Sequence, residues 1–323
     1  MFYDEALRNT SFTIGGNYSR RDVLAALGAF SSASLLAAGQ RSQVAITMDD
    51  VAWANIPPPF QREACTRLLN AFQDHGKLHA ALFVTGSNVD SAEGRAIVQR
   101  WSDQGHMIAN HTWSHRMYNN SIEPGEFADD MLRCDQLVRT YAGFRPYFRF
   151  PALKEGGTAE RRDWMRKFLH QHNYRNGAVT IDASDWYYDQ RLRACLTRDA
   201  SFDVNRFRAP YLAHMWDRAC CYDGLARKVL GRPIQHTILV HFNLLNTLFL
   251  GDLLQMFKTK NWDVVNVETA YRDPVFKREP NNAPAGESLV WALAKETGRF
   301  DAELRNPGED DVYEKPILDR LGL

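Results

Sequence analysis

Short apolar runs alternate with amphipathic stretches along most of the chain, and this alternation predicts its secondary structure. Helical patterns, for example over residues 62–75 and 124–141, separate the apolar runs. Seven runs are predicted as buried strands: 44–48, 78–85, 106–110, 147–150, 178–181, 237–242 and 262–267. Helices between buried strands favour parallel βα units of the α/β class over an antiparallel sandwich. A closed barrel and an open doubly wound sheet both fit, and either gathers its chemistry at the carboxyl ends of the strands.

The alternation breaks down after residue 272. Residues 280–286 have the Pro, Asn and Gly content of a linker, residues 289–297 are predicted to form one helix, and 307–311 an acidic turn. This tail is too short for a domain of its own. We therefore expect a catalytic domain at residues 40–272 and a C-terminal extension, residues 273–323, packed on it as an arm.

The N-terminal segment has the pattern of an export signal. Arg20 and Arg21 precede an uncharged apolar run at residues 23–39, which is short for a membrane span of about 20 residues and ends in small residues. Residues 1–39 resemble a twin-arginine signal peptide, although Val23 stands where phenylalanine is common. The resemblance implies export by the twin-arginine machinery to the periplasm or the cell exterior, with no stable membrane span after processing. The alternative is an ordinary N-terminal helix packed on the domain.

Charge and cysteine content narrow the function classes. The 323 residues include 39 Lys and Arg and 39 Asp and Glu, so the formal net charge is zero. No basic excess exists to neutralise phosphates, which argues against nucleic acid as a partner. Five cysteines without a Cys-x-x-Cys pair are too few for a disulfide scaffold.

Residues of the types that often bind metal ions stand at the ends of two predicted strands. Asp49 and Asp50 end the first strand, and His111 and His115 follow the third. Two histidines four residues apart would share one face of a helical turn, where they can bind one cation. Two histidines and one carboxylate are typical ligands of catalytic zinc.

Five motifs in this chain, in this order, resemble those of the polysaccharide deacetylase family, also called the NodB homology group or carbohydrate esterase family 4. The motifs are Thr47–Asp50, His111–His115, Arg149–Pro151, Asp182–Trp186 and Leu239–His241. The resemblance covers about residues 43–270. It implies a distorted (β/α) barrel of about seven parallel strands and a metal-dependent deacetylation of N- or O-acetylated sugars.

The resemblance also implies roles for single residues. Asp50, His111 and His115 would bind the divalent metal, for which Zn²⁺ is favoured and Co²⁺, Mn²⁺ or Ni²⁺ are alternatives. Asp49 would act as the general base that takes a proton from the attacking water. His241 would act as the general acid that protonates the leaving group.

Further residues are implied to support the reaction and the substrate. Arg149 would pair with Asp49, and Asp185 would orient His241. The Ala152 N–H is implied as a donor to the oxyanion, and the tryptophans as flat walls for a sugar, with core packing as the alternative for each. The substrate residues so implied are Trp113, Pro151, Ala152, Trp186 and Leu239.

Two loops depart from the family pattern and leave the substrate open. Val51-Ala52 stand where the family often has Gly-Pro, and Ala152-Leu153 stand where it often has Tyr-Gly. A chitin-like glycan, peptidoglycan, an exopolysaccharide and an O-acetylated xylan remain candidates. The alternative functions are a related amidase acting on a non-sugar amide and a non-catalytic glycan-binding homologue.

Overall fold

Parallel strands form the centre of the molecule, and helices cover the outside of the sheet. The computed structural model describes residues 41–305 and 310–323, so the predicted signal segment lies outside the described residues. The strands are β1 (Gln43–Asp50), β2 (Ala81–Val84), β3 (Met107–Asn110), β4 (Phe144–Phe148), β5 (Arg175–Asn176), β6 (Gln235–His241) and β7 (Asp263–Val264). The first nine helices are α1 (Pro58–Asp74), α2 (Ala92–Asp103), α3 (Pro124–Val138), α4 (Ala159–Gln171), α5 (Asp185–Arg198), α6 (Arg208–Leu230), α7 (Leu244–Thr259), the single turn α8 (Val267–Ala270) and α9 (Leu289–Thr297), counted over the described residues. Two short helices, α10 (Asp310–Tyr313) and α11 (Lys315–Arg320), end the chain.

The sheet order is β5-β4-β3-β2-β1-β6, every pair is parallel, and β7 pairs with β1. All strands therefore end at the same rim. Asp49 at the end of β1 lies opposite His241 at the end of β6. The predicted α/β class with about seven parallel strands is confirmed.

The segment from β5 to Ile181 curls the sheet into a distorted barrel. Its start pairs with β4, and the Gly177 N–H donates to the Phe148 carbonyl at 2.7 Å. Its end pairs with β6, since the Ile181 N–H donates to the Thr237 carbonyl at 2.9 Å. A Cβ on Gly177 would lie 2.4 Å from the Phe83 ring, so only glycine lets the chain pass so close to the barrel interior. The predicted strand at 178–181 is thus mostly a crossing segment, because its hydrogen bonds pass from one neighbour to the other.

The seventh strand is shorter than the predicted 262–267. β7 pairs only with Gln43 and Val44 of β1, because β2 occupies that edge of β1 from Thr47 onward. The chain then turns into helix α8 at Val267.

The barrel interior is narrow because small side chains fill it. Ala45, Ala81 and Ala109 face inward with Phe83, and the stacked Tyr147 and Tyr271 rings lie with them, their centroids 4.5 Å apart. Alternate residues of the same strands pack outward against the helices in the main core. The polar groups at the carboxyl rim therefore lie above a layer of apolar and aromatic side chains.

The C-terminal extension packs on the barrel as the predicted arm. Helix α9 covers the predicted residues 289–297, and its Leu289, Leu293 and Ala294 belong to the main core. Leu318 and the terminal Leu323 are buried in the same core. The 272/273 boundary itself stays a prediction, since residues on both sides of it belong to one compact unit. In the described parts of the chain, no helix has the length and apolar character needed to span a membrane.

Candidate active site

Asp50, His111 and His115 converge at the carboxyl rim of the barrel. The Asp50 Oδ1 atom lies 3.1 Å from His115 Nε2 and 3.4 Å from His111 Nε2. One ligand atom from each of the three side chains lies within 4.8 Å of the other two. Ligands placed about 2.0–2.2 Å from one tetrahedral ion are roughly 3.3–3.6 Å apart, so the two distances from Asp50 and the donor types both fit a divalent metal.

The histidine loop reaches this geometry without a helical turn, so that expectation is wrong. Thr112 and His115 both have positive φ, at 66° and 57°. The Thr112 N–H donates to Asn110 Oδ1 at 2.9 Å, and the His115 N–H donates to Thr112 Oγ1 at 3.0 Å. These side-chain acceptors replace the backbone acceptors of a helix, and they turn both imidazoles toward Asp50.

Backbone strain is concentrated around the same point. Six non-glycine residues with positive φ lie on the three loops at this rim: Asp50, Val51, Thr112, His115, Ala152 and Leu153. Such conformations cost on the order of 1–3 kcal/mol each and persist only where the surroundings enforce them. Strain of this kind is typical of sites that hold side chains in place for chemistry.

Hydrogen bonds on the far sides of the ligands set their orientation. His111 Nδ1 lies 2.8 Å from the Arg149 carbonyl oxygen. Because a carbonyl only accepts, Nδ1 carries the hydrogen, which leaves Nε2 to face Asp50. Burial alone would raise the pKa of Asp50, but hydrogen bonds with His111 and His115 hold that pKa well below its usual value.

Asp49 and Arg149 form a buried ion pair beside the ligands. One guanidinium nitrogen lies 3.0 and 3.1 Å from the two Asp49 oxygens, and the other donates to Thr47 Oγ1 at 3.1 Å. The two side chains are at most 3% exposed. The guanidinium carbon also lies 4.1 Å from the centre of the Phe83 ring. A carboxylate this deeply buried needs such a partner, and the pair fixes its oxygens next to His111, whose Nε2 is 3.7 Å away.

His241 is held by Asp185, the first residue of helix α5. Its Nδ1 lies 2.7 Å from Asp185 Oδ1, and the backbone N–H of His241 donates to Asp185 Oδ2 at 2.8 Å. Burial opposes the charged imidazole, but Asp185, together with Asp50 and Asp49, raises the pKa of His241 to about 10. The imidazole is therefore protonated at neutral pH, as a proton donor must be.

Three asparagines that sequence reasoning missed complete these networks. Asn246 and Asn243 donate to Asp185 Oδ2 at 2.7 and 3.2 Å. Asn110 braces the histidine loop as described above. A sequence signal existed for Asn243, because asparagine is a preferred N-cap and it begins helix α7.

A cavity of about 470 Å³ opens over these groups. The proposed ligands and acid–base residues line it together with eight further residues. The lining residues are Asp49, Asp50, His111, His115, His241, Met117, Ala152, Leu153, Lys154, Asp182, Trp186, Leu239 and Glu287. Trp186 is 44% exposed and offers a flat apolar face at the entrance. The structure thus brings three of the five predicted substrate residues, Ala152, Trp186 and Leu239, into one cavity.

The two other predicted substrate residues do not line this cavity. The Trp113 ring packs on Gly86 and under the Arg133 guanidinium, 3.9 Å from the ring centre. Pro151 is buried at the start of the turn that carries Ala152. Both support the loops that carry the site.

The comparison with known families agrees with the motifs. Residues 37–176 match the family model described as polysaccharide deacetylase. This part of the chain is thus similar to the polysaccharide deacetylase family. The resemblance drawn from the five motifs is therefore confirmed.

Individual members of the family are distant from this chain. A curated relative, peptidoglycan-N-acetylglucosamine deacetylase from Bacillus cereus, is 24% identical over 146 residues, which cover 45% of this chain. The match spans only about half of that relative, 47% of its length. Among solved structures, peptidoglycan deacetylase PdaC from Bacillus subtilis has 19% identity and a TM-score of 0.46, with coverage of 72% of this chain and 90% of that one. A CE4 family pseudoenzyme from Bacillus anthracis has 18% identity and a TM-score of 0.49, with coverage of 72% and 66%.

Proposed function

We propose that this protein is a metal-dependent hydrolase that removes acetyl groups from an N- or O-acetylated carbohydrate. The observation that carries the proposal is one cavity lined by a convergent Asp50-His111-His115 set, an arginine-paired Asp49 and an Asp185-paired His241. A hydrolase of amides needs an activated water, stabilisation of the oxyanion and a proton for the leaving group. This cavity has residue types for all three.

Asp50, His111 and His115 would hold the metal, with Zn²⁺ favoured and Co²⁺, Mn²⁺ or Ni²⁺ as alternatives. When bound, such an ion supplies Lewis acidity and lowers the pKa of water to about 7. Asp49, next to the ligand set, accepts the proton of the attacking water. Its ion pair with Arg149 keeps the carboxylate oriented and its charge balanced.

His241 gives its Nε2 proton to the leaving amine or alcohol. Asp185 holds the opposite ring nitrogen and stabilises the charge of the imidazolium. The Ala152 N–H is the proposed donor to the oxyanion, and the exposed face of Trp186 is the proposed platform for a sugar ring. Aromatic faces pack well against the C–H faces of sugars, which supports a glycan over a non-sugar amide.

Two other functions compete with this one. A glycan-binding homologue without catalysis would have no need for the strained loops and the two paired acid–base groups. An amidase for a non-sugar substrate would share the acid–base groups, so only substrates can separate it from a carbohydrate deacetylase.

Acetate release from a panel of glycans tests the proposal. The metal-loaded full chain should release acetate from at least one of chitin oligomers, peptidoglycan, exopolysaccharide and acetylated xylan. A chelator should stop the release, and added Zn²⁺, Co²⁺, Mn²⁺ or Ni²⁺ should restore it. Asp49→Asn, which cannot accept the proton, is the control for contaminating activity. Metal-loaded protein that releases acetate from none of the panel would contradict the proposal.

We also propose that residues 1–39 direct export through the twin-arginine machinery, so that the enzyme works in the periplasm or outside the cell. The support is the Arg20-Arg21 pair ahead of the uncharged run. Replacing both by lysine should leave the full-length chain in the cytoplasm, as fractionation and immunoblotting would measure. Arg8→Lys, outside the pair, is the matched control and should be exported normally. Undiminished export of the double variant would rule this role out.

A further inference from the structure

One wall of the cavity carries charges that the proposed reaction does not use. Three charged side chains line the cavity: Asp182, Lys154 and Glu287. We call them the charged wall. Asp182 directly follows Ile181, which pairs with Ile238 of β6. Glu287 comes from the C-terminal extension and Lys154 from the loop after Arg149-Phe150-Pro151, at one of the departures from the family pattern.

Backbone pairing fixes Glu287 against this loop. Lys154 and Gly286 form an antiparallel bridge, and two hydrogen bonds of 3.0 Å connect Glu155 with Ala285 and Ala285 with Gly156. Gly286 has φ 122°, and a Cβ there would lie 2.1 Å from the Leu153 carbonyl oxygen. The extension can approach this closely only because residue 286 is glycine.

Among the three side chains of the charged wall, two pair with each other and the third has no hydrogen-bond partner among the described residues. Lys154 Nζ is paired with Glu287 Oε1. Asp182 has no side-chain hydrogen bond to any residue that the structure describes, although it lies in the cavity lining. Burial and the nearby Glu287 raise the pKa of Asp182 to about 7, which is the behaviour of a carboxylate still lacking a donor.

The other charged side chains of the cavity already have partners. Asp49 pairs with Arg149, Asp185 pairs with His241, and Asp50 with the two histidines would hold the divalent ion. A ligand on the wall therefore meets the Glu287–Lys154 pair and the carboxyl group of Asp182, which is partly ionised near neutral pH and has no partner among the described residues. Such a surface attracts hydroxyl or ammonium donors and repels a carboxylate.

We propose that the charged wall makes the enzyme selective for neutral or amine-bearing aminosugar glycans over glycans with carboxylate groups near the scissile acetyl. This inference rests on the proposed deacetylase function and names the substrate class of the same cavity. Asp182 and Glu287 are its specificity-determining residues, and they act by accepting hydrogen bonds from the sugar.

Three tetrasaccharides test the selectivity with the metal-loaded full chain. They are a fully acetylated N-acetylglucosamine tetramer, the same tetramer with one free amine, and an alternating tetramer of N-acetylglucosamine and N-acetylmuramic acid without peptide. The kcat/KM for the first two should exceed that for the muramic acid tetramer by about tenfold or more, because a like charge in a confined site costs at least that much. Equal kcat/KM for the neutral and carboxylate-bearing tetramers in the wild-type protein would overturn the inference.

Variants of the wall should move the ratio in opposite directions. Asp182→Asn and Glu287→Gln should lower the preference against the carboxylate-bearing tetramer, and Lys154→Met should raise it. A merely structural role for these residues would lower activity on all three tetramers alike, and that result would also overturn the inference. Glu303→Gln is the matched control and should keep the wild-type ratio. Glu303 also lies in the C-terminal extension, and its change removes only a surface ion pair with Lys228. If the wild-type protein releases no acetate from any tetramer, the deacetylase function itself fails, which is a different outcome.

Discussion

His115→Ala should leave the protein without bound metal and lower deacetylation by more than about 100-fold. Loss of a partner that only orients a metal ligand already costs about 10–100-fold in affinity or activity, and loss of a ligand itself should cost more. His115 is the better of the two histidines to change. Its side chain is 39% exposed, whereas that of His111 is 2% exposed and fills part of the core.

Metal content and folding must be measured together to interpret this result. We expect elemental analysis to find the metal in the wild-type protein and not in His115→Ala, and we expect the metal-free forms of both to melt at similar temperatures. His170→Ala is the control, because its side chain is 71% exposed and pairs with Glu279 away from the site. A His115→Ala protein that still contains one equivalent of metal would show that Asp50 and His111 bind it with some other residue.

The position of the site could be predicted from the sequence because the site residues follow apolar runs that mark the ends of strands. Parallel strands end at one rim, so Asp49, His111 and His241 had to meet once the order of strands and helices was correct. The apolar runs predicted six of the seven strands to within a few residues. The signal is clearest for β1, β2, β3 and β6, which are buried along most of their length. The predicted helix at 289–297 has the observed bounds of α9, whose ends in the structure are the Ser288 N-cap and Gly298.

Details that depend on tertiary contacts were not predictable. The histidine loop has helical spacing in sequence, but Asn110 and Thr112 offer it side-chain acceptors that no periodicity shows. The crossing at Gly177 depends on the Phe83 ring, far away in the sequence. Glu287 lies in a segment whose pattern predicts only a linker and a helix start, and its place in the cavity depends on the contact between Gly286 and Leu153.

The same limit applies to the two tryptophans. Trp113 and Trp186 both lie within the motifs, and both were predicted as flat walls for a sugar with core packing as the alternative. In the structure Trp186 is the second residue of helix α5 and is 44% exposed, whereas Trp113 packs against Gly86 and Arg133. The separation follows from Gly86, because a glycine leaves the space that the Trp113 ring occupies.

His241→Ala should slow hydrolysis of an N-acetyl glycan much more than hydrolysis of an aryl acetate. An amine is a poor leaving group and needs a proton as the C–N bond breaks, whereas a phenolate leaves without one. The imidazole is protonated at neutral pH, since its pKa is raised to about 10, so the wild-type protein has this proton available. General acid catalysis contributes roughly 10²–10⁴-fold, and the loss on the glycan should fall in that range.

The informative quantity is therefore the ratio of the two losses. A damaged fold or a lost metal would lower both rates by the same factor, because both substrates need the same attacking water. We expect the kcat of the glycan to fall at least tenfold further than that of the aryl acetate, with the metal content unchanged. Asp185→Asn should show the same direction with a smaller ratio, because it weakens the hold on His241 without removing the imidazole. Equal losses on both substrates would mean that His241 does not protonate the leaving group, and its bond to Asp185 would then only support the end of β6.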